Sequence, residues 1–323
     1  MYTLKQIPED FIVKEISNQE FGEDGIYMIC ILKKKNYNTE DALQQLAKSL
    51  NTTRKNIGFA GTKDKNAITE QYISLFKGSI QRIQNLKLKD IEIIPAGRSK
   101  HPLSLGDLKG NEFIITIRNL EPGIKIKKIN KFPNYFDSQR FSGKNVEIGK
   151  FIIKKKFKEA CEILKEDMKY GKIVKETLEK QPNNYVQAIN SLPEKILLLF
   201  VHAFQSKIWN ETLEEYIKIN PKNKKENIPL VGFEDIEDDE MKKIIQKILE
   251  QEGINQRDFI IREIPSLTLE GSERTAYAEI HELKISELED DELNTKKKKI
   301  KVSFWLDKGS YATMAIKYLL ENN

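Results

Sequence analysis

From residue 1 to about 150 the chain reads as strands and turns around one clear amphipathic helix. From Lys154 it becomes almost wholly helical, and near Lys301 the strand signal returns. This interrupted pattern limits the fold more than any single motif does. It predicts an α+β architecture with a largely antiparallel sheet in the first part and a mostly helical α+β stretch inserted between the two β-bearing ends. The expected domains are residues 1–153 with 293–323, discontinuous, and residues 154–292 as the insertion.

Along the first part, Pro8 marks a turn and Phe11–Glu15 a strand; Ile26–Leu32 is a second strand ending at Lys33-Lys34-Lys35. Thr39 is the expected N-cap of a helix with Glu40 and Asp41 in its first turn and Leu43, Leu46, Ala47 and Leu50 on its apolar face. Further strands are expected over Gln71–Phe76, Ile91–Pro95 and Asn111–Arg118, with a basic, turn-rich loop over residues 97–106. In the middle, Pro193 opens a strongly apolar helix running to Ile217, hydrophobic nearly all round at its start and so expected to be buried. A second helix spans about Glu237–Gln251, with a stripe from Met241 to Leu249 and a stop at Gly253. The acidic run 287–292 abuts the basic run 296–299, which reads as a solvated hairpin or linker. The end is a strand from Lys301, a Gly309-Ser310 turn and a short helix to Leu320.

Chemistry concentrates in residues 57–71. An apolar lead-in, Ile57-Gly58-Phe59-Ala60, meets Gly61-Thr62-Lys63-Asp64-Lys65. A sharp turn at Gly61 would present Asp64 at the lip of a sheet, because glycine tolerates backbone conformations that other residues resist. Two flanking ammonium groups would keep the carboxylate charged, fit to act as nucleophile or base. An ordinary polar turn with a solvated aspartate fits the same five residues. In Phe132–Gly143, four aromatics with Arg140 and Gln139 offer ring faces to bases and a cation to phosphate; a loop anchored in the core is the alternative.

Composition narrows the function. With two cysteines, Cys30 and Cys161, no disulfide framework is expected; without a leader-like or membrane-length apolar run, a cytoplasmic location is. Residues 1–150 hold 25 Lys and Arg against 17 Asp and Glu, a net +8, whereas the rest of the chain nets −3. A basic half suits a polyanionic partner, although a general richness in lysine gives the same excess. His101, His202 and His281 are too scattered for metal-ligand spacing, and His202, inside the apolar helix, is expected to be a core residue. Nucleotide-binding glycine loops and a serine-hydrolase elbow are missing from the sequence.

Four separated segments then agree with one family. Pro8-Glu9-Asp10-Phe11-x-Val13-x-Glu15, Phe59–Lys65 with Ala67, Thr69 and Gln71, Pro133–Phe136 with Gln139-Arg140-Phe141, and Gly309–Thr313 together resemble the TruD family of pseudouridine synthases over nearly the whole length. Gln205-Ser206 with Asn210 is a weaker fifth match, and Asp137 and Ser142 depart from the usual glycines. The resemblance implies a pseudouridine-synthase-type catalytic domain with an inserted TRUD domain. It implies an isomerase that detaches uracil from ribose and reattaches it through C5, with tRNA as substrate and uridine-13 of the D arm as target. No cofactor or metal is implied. On this resemblance Asp64 is the catalytic aspartate and Lys5 its partner, Phe11, Asn134 and Tyr311 contact the target nucleotide, and Phe136 lies near the base. Lys63 and Lys65 are then left for RNA phosphates. Two other readings stay open: a non-catalytic RNA-binding or RNA-folding protein using the same cleft, and a phosphate-handling enzyme at residues 61–65.

Overall fold

The computed structural model describes residues 2–221 and 225–320. In chain order its principal elements are β1 (Phe11–Ser17), β2 (Tyr27–Lys35), α1 (Thr39–Ser49), β3 (Ile57–Phe59), β4 (Ile68–Phe76), α2 (Ile80–Gln84), β5 (Ile91–Ser99), β6 (Leu108–Leu120) and β7 (Lys131–Pro133). The helices α3 (Asn145–Ile153), α4 (Phe157–Lys165), α5 (Gly171–Lys180), α6 (Tyr185–Asn190) and α7 (Glu194–Ile219) follow, then β8 (Asn227–Leu230), α8 (Asp239–Glu252), β9 (Ser272–Thr275) and β10 (Tyr277–Glu279). The chain closes with β11 (His281–Ile285), β12 (Glu289–Asp290), β13 (Lys298–Asp307) and α9 (Ala312–Leu320). Among the described residues no helix is long and apolar enough to cross a membrane.

The chain divides into two compact units, Met1–Phe132 with Glu279–Asn323, and Pro133–Ala278. These junctions fall ahead of the ones read from the sequence at 153/154 and 292/293. The reason for the first is α3: Ile148, Ile152 and Ile153 belong to the same buried cluster as Phe200 and Val201 of α7. Gly149 marks how close the two helices come, since a Cβ there would sit 2.0 Å from the Phe200 carbonyl oxygen. The reason for the second is that β11 and β12 both pair with β13, so the return to the sheet begins near residue 281.

The first unit holds a nine-stranded sheet in the order β11-β13-β6-β1-β4-β2-β5, with β12 added to β13 and β3 to β4. β1 and β4 run parallel and the other pairings in the sheet are antiparallel. Alternation along the strands sorts the faces, as a period of two requires. β1 turns Phe11, Val13 and Glu15 inward, and β2 turns Met28, Cys30, Leu32 and Lys34 inward. The α1 stripe, Ala42, Leu43, Leu46 and Ala47, packs with Met28, Cys30, Leu32, Ile73 and Leu75. Two sequence expectations need correction here. β2 runs through the lysine triplet rather than stopping at it. Asn38, not Thr39, caps α1: its side-chain oxygen accepts the Asp41 amide at 2.8 Å, which leaves the Thr39 hydroxyl for another task.

The second unit is built around α7, whose Trp209 and Tyr216 are fully buried. Helices α3, α6 and α8 pack on it, α4 and α5 extend the same buried cluster, and the α8 stripe Met241, Ile244, Ile245, Ile248 and Leu249 is buried as read from the sequence.

The charged runs near the C-terminus form a hairpin whose register opposes Glu289 to Lys299 and Asp290 to Lys298. It is not simply solvated, because Asp291 is buried. The Arg118 guanidinium on β6 donates to Asp10 at 2.8 Å, Asp291 at 2.8 Å and Glu292 at 3.1 Å. Backbone bonds between Thr3 and Arg118 (2.9 and 3.0 Å) lay the N-terminal segment beside the same strand. Burial would raise the Asp291 carboxyl, but the Asn119 and Leu293 amides, the Asn294 side chain and Arg118 outweigh it and hold it at about 2. Truncating one partner of a buried ion pair strands the others, at a cost of about 3–5 kcal/mol. Arg118→Leu is therefore expected to lower the urea-unfolding free energy by about that amount. Because the Asp291 value lies below its unfolded 3.8, its stabilisation is present above pH 4 and lost as pH falls toward 2. Acid titration of the wild type, followed by circular dichroism, checks the sign.

Candidate active site

Residues 60–67 join β3 to β4 without regular structure, yet several of the loop's backbone groups are tied down. Gln71 donates to the Gly61 carbonyl at 2.9 Å, and the Lys63 amide donates to the Thr39 hydroxyl at 2.9 Å, which itself donates to Gln71 at 3.0 Å. The Ala60 carbonyl accepts from the Gly106 amide at 2.8 Å. Gly61 does not adopt a positive φ, and a Cβ there would make only ordinary contacts, with nothing nearer than 3.6 Å. The turn is thus enforced by hydrogen bonds to its carbonyls and amides, not by glycine's conformational freedom as the sequence suggested.

The lysines of the loop also sort differently from expectation. Lys63 points inward and ion-pairs with Glu15 of β1, side chains 5% and 1% exposed. Burial pushes the Glu15 carboxyl above its ordinary range, against the pull of Lys63 and of the Tyr72 amide, 3.1 Å away. Lys63 is therefore withdrawn from any phosphate; Lys65 is exposed.

Asp64 is held by Lys5, 59 residues earlier, whose ammonium lies 3.0 Å from Oδ2. The side chains are 37% and 16% exposed, so the carboxylate faces solvent while the lysine is half withdrawn. Beneath the ammonium lies Phe11, its ring centroid 4.1 Å away, a cation–π contact that fixes the lysine tip from below. Phe11 itself is 1% exposed and packs edge-on against Phe113 at 6.1 Å. Lys5 has a φ of 56°, in the left-handed region that few residues outside glycine adopt. Tyr311 lies in the same unit, half-buried, immediately before α9, its carbonyl accepting from the Met314 and Ala315 amides after the Gly309 turn.

Asn134 and Phe136 lie in the second unit and meet through Arg274 of β9. Asn134 is 4% exposed; its side-chain amide donates to the Thr275 carbonyl at 3.1 Å, and its side-chain oxygen accepts from Arg274 at 3.0 Å. The Arg274 guanidinium stands 4.0 Å over the Phe136 ring, which also meets Trp209 edge-on at 5.6 Å. Asn210 of α7 grips both polar groups of the Phe136 backbone at 2.9 Å, as a neighbouring strand would. Arg140 donates to the Ser206 hydroxyl at 3.2 Å, so this cation is also engaged within the protein. Burial and the nearby Arg140 charge keep His202 below its ordinary value. Arg274 escaped the sequence reading, since an arginine in Ser-Glu-Arg-Thr carries no signal of its partners 140 residues away.

A family model described as tRNA pseudouridine synthase D (TruD) matches residues 2–165, 151–227 and 218–319. Among similar proteins, one from Nanoarchaeum equitans is 33% identical over 98% of both chains. A second, from Methanocaldococcus jannaschii, is 34% identical over 97% of this chain and 90% of its own. Both carry the name tRNA pseudouridine synthase D, the second with the suffix 2. The crystal structure of a TruD protein from Methanosarcina mazei superposes with a TM-score of 0.75 at 28% identity, covering 99% of this chain and 93% of that one.

Lys63→Met should leave Glu15 buried beside an apolar side chain and lower stability by about 3–5 kcal/mol. Adding Glu15→Gln, which removes the stranded charge but keeps an acceptor for the Tyr72 amide, should restore more than half of the loss. Urea titrations of the two single variants and the double variant measure that coupling.

Proposed function

The chain belongs to the TruD family of tRNA pseudouridine synthases, an isomerase family, and on that premise we propose that it converts a uridine of tRNA, uridine-13 of the D arm, to pseudouridine with Asp64 as the reacting carboxylate. The observation that carries the assignment is the Lys5–Asp64 pair: a solvent-facing carboxylate on a loop fixed at both ends, with the Lys5 ammonium at one of its oxygens. The reaction is balanced internally. The bond from N1 to C1′ breaks, the uracil turns, C5 bonds to C1′, and the proton lost from C5 is matched by one gained at N1. Nothing is oxidised and no group is transferred in, so positioned side chains suffice. Asp64 can serve such a sequence either by attacking C1′ or by taking a ribose proton, and both require it to be held close and correctly aimed.

A uridine within a folded RNA is reached only after it leaves its stack, at a cost of a few kcal/mol. Half-buried rings such as Phe136 and Tyr311 offer faces on which an extruded base regains part of that cost. Phe11 and Asn134 are buried, and their proposed contribution is to hold these groups: Phe11 under the Lys5 ammonium, Asn134 beneath the segment that carries Phe136. In this reading the first unit performs the isomerisation and the second helps to hold the RNA.

Asp64→Asn is expected to abolish new pseudouridine in tRNA transcripts, mapped base by base before and after incubation, while leaving tRNA binding in place. Full modification by that variant would rule the assignment out, and modification at another uridine alone would correct the target position. Lys5→Met should reduce the single-turnover rate far more than it weakens tRNA affinity; equal losses in both would show that Lys5 serves binding instead.

A further inference from the structure

Lys34 occupies a place in the sheet where the alternation of β2 calls for an apolar residue. Its neighbours Lys33 and Lys35 point outward to Glu70, at 3.2 Å, and to Glu9. Lys34 follows Met28, Cys30 and Leu32 inward and is 0% exposed. A buried ammonium is normally matched by a carboxylate. This one instead donates to three backbone carbonyls: Tyr37 at 2.6 Å, Asp64 at 2.9 Å and Lys63 at 3.5 Å. An ammonium has three N–H bonds, so the group is saturated by this cage. Two of the three carbonyls belong to the residue proposed to react and to the one before it. The third lies in the turn leading into α1, the helix whose Thr39 holds the Lys63 amide.

We propose that Lys34 is a positioning residue for the isomerisation: its ammonium clamps the peptide carrying Asp64 from the inward face of β2 and places a buried positive charge, unmatched by any carboxylate in direct contact among the described residues, near that side chain. The inference rests on the reading of Asp64 as the reacting group. Lys34 touches no substrate and acts only through Asp64. It differs from Lys5, which meets the carboxylate directly, at a side-chain oxygen.

Burial draws the Lys34 amine down to about 8, with the Asp64 carboxylate opposing and Lys63 reinforcing the shift. The loop contributes these two, with Lys63 ion-paired to Glu15 of β1, and the strands paired with β2 here carry Glu70, paired with Lys33, and Glu92, with Asp90 just ahead of β5. α1 adds the first-turn carboxylates Glu40 and Asp41, engaged by Arg54 and Asn38. Above pH 8 the neutral amine keeps two N–H bonds and presents a lone pair to the third carbonyl, so both the clamp and the charge weaken. The same titration acts on folding with the opposite sign. The unfolded lysine titrates at 10.5, so between 8 and 10.5 the unfolded state binds more protons and the Lys34 contribution to stability rises with pH. A rate that falls above pH 8 is then not explained by this group unfolding the protein.

The test compares wild type, Lys34→Met and Asp64→Asn in single-turnover pseudouridine formation on a tRNA transcript, with tRNA Kd and circular dichroism measured on the same samples from pH 6.5 to 9. The expected result for Lys34→Met is a rate lower by about a hundredfold, the usual penalty for misplacing a reacting group by about an ångström. Its Kd should stay within threefold, and its pH profile should lack the alkaline limb that wild type displays near pH 8. A Lys34→Met rate within threefold of wild type overturns the inference. If that variant loses its fold, or loses rate and affinity together, wild type decides. An alkaline limb near pH 8 at constant Kd and circular dichroism upholds the inference, and a flat rate through pH 9 overturns it. Full activity in Asp64→Asn would instead remove the reading of Asp64 on which the inference stands, whereas an inactive Asp64→Asn beside an active Lys34→Met removes the inference alone.

Discussion

The buried guanidinium of Arg118 is the interaction on which the arrangement of the first unit depends. It gathers Asp10 from the N-terminal segment, Asp291 and Glu292 from the C-terminal hairpin, and its own strand, β6, which lies between β13 and β1 in the sheet. Burying one cation among carboxylates brings little net stability by itself, because desolvation offsets most of the attraction. What it supplies is location. The Thr3–Arg118 backbone bonds on one side and the Ile7–Asp10 bond, at 3.1 Å, on the other leave Lys5 a few residues of chain with its ends fixed. The ammonium that meets Asp64 is positioned by an ion cluster it does not touch.

Three lysines surround one aspartate, and their different exposures divide their work. Lys63 neutralises a buried glutamate and so stabilises the loop without addressing the carboxylate. Lys34 holds the loop through its backbone, and Lys5 meets the Asp64 carboxylate itself at Oδ2. In the second unit the same economy of roles recurs with arginine: Arg274 uses its planar face on Phe136 and its edge on Asn134, which a lysine could not do together.

How much of this was legible in the residues follows from the range of the forces involved. Strands β1, β4 and β6 and helices α7 and α8 announce themselves because alternation and helical periodicity are local consequences of which face meets the core. The capping of α1 was misplaced by one residue, because Asn38 and Thr39 are equally good caps and only the loop's claim on the Thr39 hydroxyl decides between them. Helix α3 went unread, since the helical texture was taken to start only at Lys154; its Gly149 is required by the close approach of α7. The Lys5–Asp64 pairing came from resemblance and not from spacing. The carbonyl cage around Lys34 had only one trace in the sequence, a lysine at an inward position of an apolar strand. The resemblance left Lys63 and Lys65 alike for RNA phosphates; burial separates them.

The left-handed backbone of Lys5 bears on how this protein can be improved or can drift. A lysine held there stores strain of order 1 kcal/mol that a glycine or asparagine would relieve. Selection for thermal tolerance alone would therefore favour replacing it, and a laboratory screen scored on melting temperature would enrich such replacements while discarding the ammonium beside Asp64. Position 5 is thus a place where backbone ease and the ion pair to Asp64 pull in opposite directions, and any stabilised variant of this chain is best judged by whether its lysine there has been kept.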